Sequence, residues 1–351
     1  MSTSEICILI AIVAYLAIVV VIGVIFSRKN NNVDDFYLGG RKLGPFVTAM
    51  SAEASDMSGW LLMGLPGLVY LCGIAEASWT AIGLAVGTYV NWLVLAKRLR
   101  NYSSRIEAIT VPDFFKKRFK DETNVLIIAA AVLIIIFFIP YTASGFSTCG
   151  KLFGSLFGID YHLAMVISAI VIVAYTSLGG FLAASTTDFI QSIIMTIALI
   201  IVLVFGISVA GGWDAVTENA KSITGYLSMV ETTDGAGNIV PFGAMKIVST
   251  LAWGLGYFGM PHILLRFMAI ENPKKIKLSR RVASIWVFIA MSVAVVIGMV
   301  GLAMSKMESS MVLADSETVI VAISSLLSKY GIIFALLAGI ILAGILASTM
   351  S

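Results

Sequence analysis

Residues 47–70 read VTAMSAEASDMSGWLLMGLPGLVY, and this stretch decides the fold. It is long and apolar enough to cross a bilayer, yet it contains two carboxylates, Glu53 and Asp56. By insertion scales, each would cost about 2.5–3.5 kcal/mol at the centre of a membrane helix. Because they are one helical turn apart, a regular helix would also place like charges side by side. The pattern therefore requires a protonated carboxyl group, an aqueous helix end or a bound cation.

The same span carries Pro66 among three glycines, a combination that favours a broken helix. Proline removes an amide donor and clashes with the preceding turn, and glycine lowers the cost of unwinding. Opened backbone at membrane depth is tolerated where it lines a cavity, and its free carbonyls suit a monovalent cation. The alternative is an ordinary proline kink between closely packed helices. Glu53 would then reach the membrane interface or pair with Arg41.

A second interrupted span follows at residues 252–262, which read AWGLGYFGMPH. Trp253 and Tyr257 are four positions apart, so they share a face of any helical part. Two interrupted spans at corresponding positions of two halves are typical of transporters built from inverted repeats. We therefore expect these aromatic residues, together with Tyr141, to form a substrate wall. Packing or contact with lipid is the alternative role for such aromatics.

Apolar stretches long enough to cross about 30 Å of hydrocarbon recur along the chain. We predict nine spans, at residues 6–26, 47–70, 77–96, 125–146, 162–183, 189–210, 244–268, 282–304 and 331–351. Spans two and seven are five apart, so the two halves cross the membrane in opposite directions. The predicted organisation is one membrane transport domain, with an extra N-terminal helix and loop (1–46), a first repeat (47–210) and a partial second repeat (244–351). A short turn at residues 184–187 joins spans five and six, with Asp188 alone beside it.

The basic residues predict the orientation of these spans. Eighteen of the 23 lysines and arginines lie in connections on one side of the membrane. The side rich in lysine and arginine faces the cytoplasm. We therefore predict a multi-pass protein of the cell inner (plasma) membrane with its N-terminus outside.

The composition excludes several classes of protein. Hydrophobic residues make up 59% of the chain and charged residues 12%, and the mean hydropathy is +0.99. Soluble domains are near 45–50% apolar and about 25% charged, so a soluble enzyme, a nucleic-acid-binding protein and a disordered scaffold are excluded. Three separated cysteines and two histidines form no disulfide framework, zinc site or catalytic set. We accordingly expect no enzymatic activity and no nucleic-acid partner.

Four motifs of the sequence resemble those of the sodium/solute symporter family. They are most similar to the motifs of its proline-transporting branch. They are YLGGRKLGPFVTAMSAEASDMSGWLLMGLPG (37–67), YTASGF (141–146), SLGGFLAASTTDFIQ (177–191) and WGLGYFGMPHILLRFMA (253–269). The resemblance runs through essentially the whole chain. It implies an all-α integral membrane fold, the inverted-repeat helical bundle of leucine-transporter type with one extra N-terminal helix. That fold needs five helices in its second half and three are present, so we expect the bundle to be C-terminally incomplete.

The resemblance also implies roles for individual residues. Sodium-related roles fall on Asp56, on the carbonyls of Ala54, Met57 and Ser348, and on the hydroxyl of Ser351. Roles in proline binding or its gate fall on Ser58, Tyr141, Trp253, Tyr257 and Pro261. Arg41 and Asp188 match functionally sensitive charged positions on the cytoplasmic side. Glu53 and Thr349 receive no role.

The implied function is uptake of L-proline coupled to sodium (Na+) by alternating access, by a protein that works in the lipid bilayer as a monomer. One alternative keeps the fold and changes the solute to pantothenate, a monocarboxylate or a sugar. Another is a membrane sensor that keeps the fold without transport. An ion channel is disfavoured because no segment repeats as a selectivity filter would.

Overall fold

A computed structural model describes residues 2–28, 32–234, 238–308 and 311–349, and the described residues of each predicted span are mainly helical. The first part of the chain forms seven helices: α1 (Thr3–Ser27), α2 (Val33–Leu38), α3 (Pro45–Gly59), α4 (Leu65–Cys72), α5 (Ile74–Asn91), α6 (Lys97–Arg105) and α7 (Val111–Phe119). Short π-helical turns at Trp60–Gly64 and Trp92–Ala96 join α3 to α4 and α5 to α6.

The rest of the described chain is also mostly helical. Its helices are α8 (Val125–Phe157), α9 (Tyr161–Val209), α10 (Trp213–Ser222), α11 (Ala244–Leu251), α12 (Pro261–Ala269), α13 (Ile276–Met304), α14 (Val319–Leu327) and α15 (Ile332–Thr349). A 3-10 segment, Ala252–Phe258, separates α11 from α12. Between α10 and α11, β1 (Glu231–Thr233) pairs antiparallel with β2 (Ile239–Pro241). Among the described residues, this hairpin forms the one β-sheet, and the other elements are helices.

Five described helical stretches are long and apolar enough to cross a membrane unaided: Thr3–Ser27, Ile74–Arg105, Val125–Phe157, Gly179–Val209 and Pro273–Met304. The remaining predicted spans fall on shorter helices or on interrupted ones. Large apolar side chains stay exposed on the outside of the bundle, as at Phe137 and Ile139 of α8. An outer surface of this kind suits contact with hydrocarbon chains.

The break between spans five and six differs from the predicted one. Residues 184–187 are helical, and the backbone of α9 instead breaks at Gly180, where φ is 66° and ψ is −169°. This conformation is essentially restricted to glycine, and the pair Gly179-Gly180 supplies it. The predicted turn was wrong because the short polar residues after Ala183 remain compatible with a helix when their hydroxyls bond to carbonyls of the preceding turn, as Thr187 does with Ala183.

Span two is broken as predicted, but the break lies at Ser58. Its φ of 45° and ψ of −161° interrupt the end of α3, and a non-glycine residue in such a region stores roughly 1–3 kcal/mol. Pro66 lies in the first turn of α4, where a missing amide hydrogen costs little. The proline therefore lies within the second half of the span, after the π-helical turn Trp60–Gly64, and does not itself make the break.

Span seven is interrupted at the 3-10 segment, and close contact between glycines holds this segment against α5. A Cβ atom placed on Gly254 would lie 2.0 Å from the carbonyl oxygen of Gly83, and one on Gly87 would lie 2.4 Å from the carbonyl oxygen of Gly254. Backbones approach this closely only where side chains are absent. This contact fixes the position of Trp253 and Tyr257 relative to α5.

Candidate functional site

The break in α3 lies beside a cavity of about 220 Å³ that is lined in part by hydroxyl groups. Ser58 lines this cavity together with Tyr141 and Thr142 of α8 and Thr349 of α15. The hydroxyl of Tyr141 donates a hydrogen bond to the carbonyl oxygen of Ser55 at 2.9 Å. Tyr141 thereby satisfies a carbonyl next to the break, which would otherwise lack a partner in a low-dielectric setting. Two of the predicted substrate residues, Ser58 and Tyr141, therefore share one cavity.

The predicted sodium ligands are only partly described. Ala54 is buried in the last turns of α3, and the carbonyl oxygen of Met57 accepts the amide hydrogen of Trp60, which leaves one lone pair. Ser348 lies on α15, and Ser351 lies outside the described residues.

Thr349, which the sequence left without a role, lines the cavity beside Ser58. Its hydroxyl donates to the carbonyl of Leu346 at 2.7 Å and lies 3.1 Å from the sulfur of Cys149. A cluster of hydroxyl residues near the end of the last span was the available signal. The packing of α15 against α3 and α8 places Thr349 at the cavity.

Asp56 faces the interrupted seventh span. Its carboxylate faces the hydroxyl of Tyr257, which also faces Thr88 of α5. Tyr257 is 3% exposed, so it is a buried neighbour of Asp56. Glu53 does not pair with Arg41, which was one alternative for it; it accepts a hydrogen bond from the indole of Trp92 at 3.1 Å.

Trp253 and Pro261 occupy different positions from Ser58 and Tyr141. Trp253 is half exposed and its ring packs on Trp60, with 5.1 Å between ring centroids. Pro261 opens α12, and the next residue, His262, stacks on Tyr141 at 5.7 Å. Among the described residues, neither Trp253 nor Pro261 lines the cavity at Ser58. The predicted substrate residues therefore surround the junction of the two interrupted helices without forming one continuous wall.

Asp188 is not alone at a cytoplasmic turn, as the sequence suggested. It is fully buried within α9 and pairs with Arg266 of α12, Nη2 to Oδ2, at 2.6 Å. Ser51 of α3 donates to the same carboxylate oxygen at 2.7 Å and accepts from Nε of Arg266 at 2.6 Å. No feature of the sequence distinguishes Arg266 from the other basic residues predicted near the cytoplasmic side. The triad of Ser51, Asp188 and Arg266 thus links α3, α9 and α12.

Arg41 joins three segments outside the membrane. Its guanidinium donates to the carbonyls of Met268 and Ala108 at 2.8 and 2.7 Å, and to the hydroxyl and carbonyl of Ser103. Burial and the nearby Arg100 guanidinium lower the pKa of Arg41. The guanidinium of Arg41 therefore links the loop before α3 to the α6 region and to the end of α12.

Arg41→Lys is expected to destabilise the protein by roughly 2 kcal/mol, because an ammonium group cannot reproduce the planar fork and charged hydrogen bonds are worth about 1.5–3 kcal/mol each. The free energy of unfolding in mixed detergent micelles measures this. Arg105→Lys, at an exposed position of α6, is the matched control and should change little. Equal effects of the two substitutions would contradict the role given to Arg41.

Comparison with known proteins agrees with this arrangement. Residues 36–351 match the Sodium:solute symporter family. The chain is 41% identical over 344 residues to proteins named sodium/proline symporter from Staphylococcus aureus strains USA300 / TCH1516 and JH9. The aligned region covers 97% of this chain and 64% of those relatives, so the chain spans a little under two thirds of their length.

The fold is shared with a solved structure of a Na+-coupled sialic acid symporter in a substrate-bound outward-open state. The TM-score is 0.80 at 18% sequence identity, over 98% of this chain and 71% of that one. This similarity confirms the predicted fold class, an all-α membrane bundle of leucine-transporter type. From its match over residues 36–351 and its identity to these relatives, the chain belongs to the sodium:solute symporter family.

Proposed function

We propose that this chain carries out sodium-coupled uptake of L-proline across the cell membrane by alternating access. The observation that carries the proposal is that the broken α3 lines a cavity with hydroxyl groups at Ser58, while Trp60, just after the break, packs on Trp253 of the interrupted seventh span. The 41% identity to proteins named sodium/proline symporter supports proline as the solute. A different small solute is the second candidate, because the sialic acid symporter shares this fold.

In this proposal, sodium binds between α3 and α15. The oxygen ligands are the carbonyls of Ala54, Met57 and Ser348 and the hydroxyl of Ser351, as predicted, and the hydroxyl of Thr349 is added to them. Asp56 supplies negative potential nearby. Hard monovalent cations favour such carbonyl and hydroxyl oxygens. Bound sodium would hold the opened backbone at Ser58 in one conformation.

Proline then binds at the junction of the broken helices. Ser58 and Tyr141 lie on the cavity side, and Trp253, Tyr257 and Pro261 bound the junction from the seventh span. Amides at the start of the helix that follows the break would meet the carboxylate of proline. Each ligand raises the affinity for the other because both favour the same occluded state. The membrane potential adds about 2.3 kcal/mol per charge per 100 mV to inward movement.

We further propose that the chain lies in the plasma membrane with its N-terminus outside and works as a monomer. The bias of 18 of 23 basic residues to one side supports this orientation. Residues 47–210 and 244–351 would form the two inverted halves, because the interruptions at Ser58 and at Ala252–Phe258 lie in spans two and seven, which the span count predicts to cross the membrane in opposite directions.

Counterflow of labelled solute in proteoliposomes tests the function. Proteoliposomes loaded with unlabelled proline are diluted into labelled proline with either sodium or potassium outside. We expect accumulation of label in sodium only. Accumulation that does not depend on sodium would refute sodium coupling, and accumulation of pantothenate, a monocarboxylate or sialic acid in place of proline would assign another solute. Sodium-dependent binding of proline without counterflow would favour a sensor.

Asp56→Asn is expected to weaken the apparent affinity for sodium by at least about tenfold, which corresponds to a loss of about 1.4 kcal/mol. The physical reason is the removal of a negative charge held in low dielectric near the bound cation. The half-saturating sodium concentration for proline counterflow measures the effect. Asp214→Asn, which removes an exposed carboxylate from α10, is the control. An unchanged sodium affinity in Asp56→Asn would contradict the role given to this carboxylate.

A further inference from the structure

An arginine without a counter-charge lies where α5 packs against α13. Arg280 lies one turn inside α13, and its guanidinium lies over the ring of Tyr89 of α5, with 5.2 Å between Cζ and the ring centroid. The Nε atom of Arg280 is buried and has no hydrogen-bond partner in the described part of the chain. A guanidinium that is held by the protein but donates to none of its acceptors indicates an acceptor from outside the chain.

The neighbouring helices supply no carboxylate for this arginine. Neither α13 nor α6 contains an acidic residue. The acidic residue of α5 is Glu76, which lies in the first turn, at the other end of the helix from Tyr89. Glu271, before α13, pairs with Lys275 at 2.6 Å. The positive charge of Arg280 is therefore uncompensated on the elements that surround it.

The exposed side chains around Arg280 change from apolar to basic along both helices. Towards the middle of the predicted spans, Val86 of α5 is 57% exposed and Phe288 of α13 is 66% exposed. Towards the basic side, Lys277 is exposed one turn before Arg280. Such a change marks the level at which hydrocarbon meets the lipid headgroups, where tyrosine is also typical. Arg280 and Tyr89 therefore lie at the depth of the headgroup phosphates.

We propose that Arg280, with Lys277 on the same face of α13, binds the headgroup phosphate of one anionic phospholipid whose acyl chains lie along Val86 and Phe288. A guanidinium binds two phosphate oxygens at once, and basic pockets between membrane helices bind anionic headgroups. Stacking on the tyrosine ring restricts the guanidinium before the lipid binds. In the orientation proposed for the chain, this lipid belongs to the cytoplasmic leaflet.

The lipid would brace two helices that pack on the interrupted spans. A Cβ atom on Gly87 of α5 would lie 2.4 Å from the carbonyl oxygen of Gly254 in the 3-10 segment, and one on Gly298 of α13 would lie 2.5 Å from the carbonyl oxygen of Pro66 in α4. A phospholipid bound to both α5 and α13 stabilises their contact, because a ligand that binds only the folded state raises its stability. The site is separate from the proposed sodium and solute sites and does not depend on which solute is carried.

Native mass spectrometry of the purified full chain in detergent, titrated with phosphatidylglycerol or phosphatidylcholine, tests the site. The wild type should hold one phosphatidylglycerol more tightly than phosphatidylcholine. Arg280→Gln should weaken the apparent affinity for phosphatidylglycerol at least about tenfold, because the charged hydrogen bonds to phosphate are lost. Arg105→Gln removes the same charge from an exposed position of α6 and should leave this affinity nearly unchanged.

Equal affinities of the wild type for the two lipids, or equal losses in Arg280→Gln and Arg105→Gln, would overturn the proposal. Lys277→Gln is the second variant should Arg280→Gln not fold, because Lys277 is exposed. It should weaken the affinity for phosphatidylglycerol about fivefold, the effect of one basic residue near an anionic surface, and an unchanged affinity would also count against the site.

A thermal-unfolding measurement distinguishes a lipid from a free anion. Phosphatidylglycerol should raise the melting temperature of the wild type, and inorganic phosphate should not. An equal rise with inorganic phosphate alone would mean that Arg280 binds free anions and would refute the lipid as occupant. Neither sodium nor proline is added in these experiments, so a failure of proline counterflow would leave their outcome unchanged.

Discussion

Asp188→Asn is expected to destabilise the protein by about 3–5 kcal/mol, the cost of leaving one member of a buried ion pair without its partner. The side chain of Arg266 is 5% exposed and that of Asp188 is fully buried, so water cannot replace the lost charge. The free energy of unfolding in mixed micelles measures the loss. Asp315→Asn is the control, because Asp315 pairs with Lys151 where both side chains remain partly exposed, and such pairs contribute about 0–1 kcal/mol.

A double variant separates charge from packing in the same triad. Asp188→Leu combined with Arg266→Met removes both charges and keeps apolar volume. Replacement of a buried pair by apolar side chains is often neutral or stabilising by about 1–4 kcal/mol, so the double variant should be more stable than Asp188→Asn. A double variant that is less stable would mean that the ion pair supports folding through more than mutual charge neutralisation.

Gly254→Ala is expected to cost about 1–3 kcal/mol or more of stability, the usual cost of overpacking, and to lower sodium-dependent proline counterflow at least about tenfold. The added Cβ would lie 2.0 Å from the carbonyl oxygen of Gly83. The 3-10 segment must therefore move away from α5. Trp253 and Tyr257 belong to the same 3-10 segment as Gly254 and would move with it, away from the break at Ser58.

Gly256→Ala is the matched control two residues later in the same segment. A Cβ on Gly256 has no neighbouring atom within 4 Å, so the substitution adds no contact and reduces only the entropy of the unfolded chain. We expect unchanged or slightly higher stability and normal counterflow. Equal losses in Gly254→Ala and Gly256→Ala would show that chain flexibility matters in this segment and that the close approach to Gly83 does not.

The interruptions in spans two and seven were predictable because their causes are local. Two carboxylates in an apolar run, and glycines next to proline, conflict with a regular membrane helix wherever they lie. The exact residue of each break was less predictable. Ser58 breaks span two ahead of Pro66, and Gly180 breaks α9 ahead of the polar residues 184–187, since the cost of unwinding is set by what the freed carbonyls meet. At Ser55 that partner is the hydroxyl of Tyr141, 86 positions away.

The sequence by itself determined that this is a multi-pass membrane protein with two interrupted apolar segments, because hydrophobic length and helix-breaking residues act within a single segment. Tertiary structure alone decided which polar groups meet. Arg266 pairs with Asp188, which is 78 positions away in the sequence, and Thr349 contacts Cys149, which is 200 positions away. A buried polar group in a membrane protein must be satisfied by whichever helix packs against it. Helix packing depends on the shapes of many side chains at once, so the partner of a charge cannot be deduced from its own segment.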